Sequence, residues 1–95
     1  MKTIILAPDH TYKDDPFNPG TQVEEITAPF VLGNQEHFAL WHGADPTTVT
    51  IWKAGRDRSI LVSCHDLGHM NQEDALCTAV QQFVGDKYSV MLDKD

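Results

Sequence analysis

From Ile26 to His65 the chain is divided by turn-forming residues into runs of about seven or eight, and within several runs apolar and polar side chains alternate. A period of two is the mark of a half-buried strand, so this stretch is expected to form a meander of about four antiparallel strands. The first, 26–32 (ITAPFVL), is separated by Gly33 and Asn34 from the second, 36–42 (EHFALWH). Within the second, Phe38, Leu40 and His42 fall on one face and His37, Ala39 and Trp41 on the other. After the turn 43–46, the third (47–53, TTVTIWK) sets Val49 and Ile51 against Thr48, Thr50 and Trp52. A turn at 54–57 leads to the fourth, 58–65 (RSILVSCH). Pro29 has no backbone donor, so the strand that carries it belongs at a sheet edge or begins near it.

The flanks of the meander are of a different kind. Residues 2–7 (KTIILA) form a short apolar run ended by Pro8, which fits a first strand. Residues 8–25 hold three prolines, a glycine and five acids with no periodicity, and are expected to form a long loop. Past the meander, Asn71 is a good N-cap with acids in the turn that follows, and a helix is expected over 71–85. Ala75, Leu76, Ala79, Val80, Phe83 and Val84 share one side of it, Thr78, Gln81 and Gln82 face away, and Gly85 ends it. Residues 87–92 (KYSVML) read as a last strand. Residues 1–95 then make a single α+β domain: an antiparallel sheet of about five or six strands with one amphipathic helix packed on one face. One helix covers one face only. The other is open to a partner or a second copy, with Trp41 or Trp52 among its residues.

Charge narrows the classes of partner. The net charge of −7 is uneven, with seven acids against two bases in residues 1–50 and seven against five in 51–95. An acidic surface repels nucleic-acid backbones and anionic membranes and attracts basic proteins. The cluster Lys53, Arg56 and Arg58 is offset by Asp57 and reads as a solvated hairpin tip. No run approaches the ~20 apolar residues of a membrane span, and the apolar run at 4–7 is too short for a signal-peptide core, so a cytoplasmic location is expected. Two cysteines, Cys64 and Cys77, are too few for a disulfide framework and are expected to be reduced thiols.

The stretch 63–70, SCHDLGHM, concentrates a thiol, a carboxylate and two imidazoles. A tetrahedral zinc site needs three or four converging ligands, and His65 with His69 has that potential only on one helix face. Gly68 and the Asn71 cap place both before the helix, and Cys64 and His65 point to opposite sides of a strand, so no metal site is assigned. The same divergence counts against a Cys-His nucleophile, unless His37 or His42 approaches Cys64 from a neighbouring strand. Phosphate-loop, nucleophile-elbow and His-Glu-x-x-His motifs are absent from the sequence, and no catalytic residue or cofactor is assigned.

The expected function is therefore that of a small, acidic, non-catalytic inhibitor. It would dock on a basic, nucleic-acid-binding site of a larger protein, acting as a monomer or homodimer. Phage-encoded inhibitors of host defence, including anti-CRISPR proteins, and immunity proteins that block nuclease toxins are of this size and charge. The residues assigned to partner binding are Asp9, Tyr12, Asp14, Asp15, Phe17, Glu24, Glu25, Glu36, Trp41 and Trp52. Tyr12 and Phe17 supply aromatic anchors within an acidic rim, or else pin the loop to the core. A metal-binding or Cys/His enzyme domain using His37, His42, Cys64, His65 and His69 is one alternative, and a self-associating subunit is another.

Overall fold

The computed structural model describes residues 2–55, 60–64 and 70–93, and for 60–64 the backbone alone. The expected turn at 54–57 is therefore described only in part, and residues 65–69, with His65 and His69, lie outside the described residues. The element order is β1 (Lys2–Leu6), β2 (Asp9–Asp14), β3 (Gln22–Leu32), β4 (Gln35–His42), β5 (Asp45–Lys53), β6 (Ile60–Cys64), α1 (Gln72–Val84) and β7 (Tyr88–Leu92). Strands β2 to β6 form an antiparallel meander in sequence order, while β1 and β7 pair in parallel as a separate two-stranded sheet. The fold is α+β with one helix on one sheet face, as the sequence implies.

Two features differ from the expected plan. The segment 8–25 is not a long loop: β2 pairs with the first half of β3 from Asp9↔Thr27 to Asp14↔Gln22, leaving only a short connection between them. Most of β2 is exposed, so backbone pairing defines the strand and no hydrophobic alternation announces it. The second difference is the split into two sheets. Continuing the β2–β3 register backwards would set Pro8 opposite Ala28 and Ala7 opposite Pro29, where neither proline has a donor to give. The ladder stops there, and β1 pairs with β7 instead. The strand that carries Pro29 neither lies at the sheet edge nor begins near it: β3 starts at Gln22 and sits between β2 and β4, and Pro29 is tolerated because it falls past the end of β2, where the described ladder of β3 is with β4 alone.

The core lies between the helix and the inner sheet surfaces. Ile26, Ala28, Phe30, Ala39, Trp41, Val49 and Ile51 meet Ala75, Leu76, Ala79 and Val80 of the helix, with Ile4, Leu6 and Val90 closing one side. Ala28 and Ala39 oppose each other across β3 and β4 and are fully buried, as are Ala75 and Ala79. Small side chains on both surfaces allow close packing of helix on sheet. The turn between β3 and β4 is made by Gly33 and Asn34 with φ of 58° and 67°, the double positive φ of a two-residue hairpin turn. Asn71 caps the helix by accepting from the Asp74 amide at 3.0 Å, and Gly85 ends it at a φ of 79° that favours glycine.

Gln81 does not face away from the core as its helical position implied. Its Nε2 donates to the carbonyls of Gly85 and Tyr88, both at 2.9 Å, and its Oε1 accepts from the Val90 amide at 3.0 Å. The Cys77 thiol reaches the Val90 carbonyl at 3.4 Å. Helix side chains thus satisfy the backbone edge of β7 that β1 does not pair, in place of a third strand. Gln81→Ala is expected to lower stability by about 2 kcal/mol, because three part-buried backbone groups lose their partners. Urea unfolding would give the loss, and faster hydrogen exchange at the Val90 amide would locate it.

Candidate protein-binding surface

The β2–β3 hairpin carries most of the acidic and aromatic residues singled out from the sequence, and its tip is built by one of them. Asp15 Oδ1 accepts from the Phe17 amide at 2.9 Å and Oδ2 from Asn18 Nδ2 at 3.1 Å. The Asp15 amide donates to the Thr21 carbonyl at 3.0 Å, and the Thr21 hydroxyl and amide both donate to the Asn18 carbonyl. The Phe17 amide, followed by Asn18, holds the Asp15 carboxyl below its ordinary pKa. This carboxylate folds the tip and is not a free charge. Phe17, presented by that turn, is 75 % exposed and Tyr12 is 67 % exposed. Neither ring pins the hairpin to the core.

His10, which carried no signal in the sequence, fixes the base of the hairpin. Its Nδ1 lies 2.9 Å from Glu24 Oε2 and its Nε2 lies 3.0 Å from Glu73 Oε2, so one imidazole bridges β2, β3 and the helix. Hydrogen bonding to Glu24 and then to Glu73 raises the His10 pKa above 6.5. Glu73 is 63 residues away in the chain, and only the fold brings the two together.

Register assigns the remaining residues to opposite faces. Opposed residues in an antiparallel pair share a face, so Tyr12, Asp14 and Glu24 lie on the helix side of the hairpin with His10. Asp9, Glu25 and Glu36 lie on the uncovered face with Trp52. Trp41 is not part of that face. It is 7 % exposed in the core, with Nε1 donating to the Pro46 carbonyl at 3.0 Å. Phe38, Leu40 and Thr27, none of them chosen from the sequence, join Trp52 and Glu25 around a concavity of about 330 Å³. The period-two alternation that places Phe38 and Leu40 opposite Trp41 was a readable signal for them.

Among the described residues, the histidines do not converge. His37 is buried on the inner face, stacked on Phe30 with ring centroids 5.3 Å apart, and its Nδ1 donates to the Gln35 carbonyl. His42 lies on the opposite face, its Nδ1 accepting from the Ala44 amide at 3.0 Å. The Cys64 side chain lies outside the described residues. Burial, with a smaller effect of Asp74, pushes the Cys77 thiol up and away from nucleophilic use. Among the described residues, no group of three His, Cys, Asp or Glu is placed to hold a metal ion, and no helix is long and apolar enough to cross a membrane.

Because the folded pKa of His10 is raised, its clasp is expected to stabilise the fold fully below the unfolded value near 6.5, for as long as both carboxylates stay ionised. That contribution is lost as pH rises through the folded pKa. The site is exposed, so the effect is small, about 0.5 kcal/mol. The melting-temperature gap between wild type and His10→Gln, followed from pH 6 upward, should narrow. Comparison with known protein families, with characterised proteins and with solved structures found no match to this chain.

Proposed function

We propose that this chain is a non-catalytic protein-binding inhibitor that docks its acidic hairpin on a basic site of a larger protein. The observation that carries this reading is the exposure of Tyr12 and Phe17 on a hairpin held rigid at both ends, by Asp15 at the tip and His10 at the base. Large aromatics are usually buried, and those kept in water on an ordered support serve as anchors for a partner. Asp14 shares the face of Tyr12 and precedes Phe17 at the tip, while Asp9 adds its charge at the other end of the strand from the opposite face.

The partner's site is one built for phosphate, since carboxylates imitate the field of a nucleic-acid backbone at a basic groove. That chemistry is shared by phage-encoded inhibitors of host defence, anti-CRISPR proteins among them, and by immunity proteins that block nucleases. On this reading the chain acts in the cytoplasm, beside its target.

Capture of partners from lysate, at low and high salt, tests the reading. Asp9→Lys with Asp14→Lys is expected to weaken capture at least tenfold at low salt and to flatten its salt dependence. Phe17→Ser or Tyr12→Ser should weaken it at both salt concentrations. Asp15 is left unchanged because its loss would unfold the tip. Retention of the same partner by all of these variants would overturn the hairpin as the docking element.

A further inference from the structure

The uncovered sheet face carries a second feature. Phe38 and Trp52 are cross-strand neighbours on β4 and β5, Leu40 follows Phe38 by one repeat of the pleat, and Thr27 lies opposite Leu40 on β3. These four and Glu25 line the concavity of about 330 Å³. That volume is at the small end for ligand sites and suits a side chain or two rather than a cofactor. The Glu25 side chain is only 22 % exposed, and His42 Nε2 lies 4.0 Å from its carboxylate, beyond hydrogen-bond length. Among the described residues nothing donates a hydrogen bond to this carboxylate.

We infer that this concavity receives an arginine side chain from the protein partner, its stem on Phe38, Leu40 and Trp52 and its guanidinium on Glu25. An apolar occupant would strip water from Glu25 without replacing it, and an anion would be repelled by Glu25 and by Asp9 and Glu36 on the same face. A cation with an apolar stem answers both the aromatic floor and the carboxylate. Arginine answers them better than lysine, because its planar head stacks on indole and phenyl faces and pairs with a carboxylate through two parallel hydrogen bonds. This rests on the protein-binding reading and gives the basic partner a specific contact apart from the hairpin.

The test is an NMR titration of the full chain with acetyl-Ala-Arg-Ala-amide, its lysine counterpart and its citrulline counterpart, which keeps the shape and removes the charge. The arginine peptide is expected to shift the Trp52 indole and Leu40 methyl signals and to bind about tenfold more tightly than the citrulline peptide. Glu25→Gln should erase that difference while leaving spectral dispersion intact, and Phe38→Leu should weaken both peptides. Tyr12→Ser should change neither, which separates failure of this pocket from failure of the hairpin. Equal binding of the arginine and citrulline peptides overturns the inference, as do shifts confined to Tyr12 and Phe17 or no response up to about 10 mM peptide. Trp52 shifts that follow protein concentration without peptide would identify a second copy as the occupant and overturn it as well.

Discussion

A strand whose ladder is interrupted must find another partner or leave its backbone groups unsatisfied, and much of this architecture follows from one such interruption. Pro8 and Pro29 would face the same junction between β1–β2 and β3, where neither has an N–H to give. β1 therefore turns away from β3 and pairs in parallel with β7. A parallel partner requires a crossover, which the whole meander and the helix together supply, and the helix, leading directly into β7, covers the inner sheet face. The far edge of β7 is then closed by Gln81 and Cys77. The exposed pair Ile5 and Met91 sits on the outer side of the resulting ribbon, where the helix does not reach.

The same division separates stability from surface chemistry. Apolar area is gathered where β3, β4, β5 and the helix overlap, while the β2 half of the hairpin is mostly exposed. There the chain places charge, with Asp9, Lys13 and Asp14 along an edge strand that would otherwise invite pairing by another chain. The exposed aromatics of the hairpin and the shallow aromatic floor around Trp52 lie outside the core, so neither is committed to packing the helix. An acidic edge of this kind discourages self-pairing while remaining attractive to a basic surface.

The elements most legible in the sequence are those in which side-chain periodicity and structure have one cause. β4 alternates because one face is buried, and the inner His37, Ala39 and Trp41 could be separated from Phe38, Leu40 and His42 by counting in twos. The helix was bounded by Asn71 and Gly85 because caps are local chemistry. β2 was hidden because its partner pays no heed to its side chains; its strand character is a property of hydrogen bonds with β3. Gln81 departs from its helical pattern for a related reason. A polar residue on a helix implies solvent unless an unpaired strand edge lies beside it, and that neighbour comes from the other side of the fold. His10 and Glu73 meet only after the helix has docked, so their pairing has no local signature. Trp41 and Trp52 were both candidates for the open face, and only the full register decides that Trp52 lies there.

A strand defined by its backbone alone has an evolutionary consequence. Most side chains of β2 are exposed, so substitutions along it are nearly free of folding constraint as long as proline and glycine are avoided. The anchor points, Asp15 and His10, hold the scaffold while the residues between them are at liberty to vary. Such a segment can track a changing counterpart by point mutation, much as an antibody loop varies on a fixed framework. The fold thus sets a packed chassis beside a strand whose exposed side chains are open to change, within 95 residues.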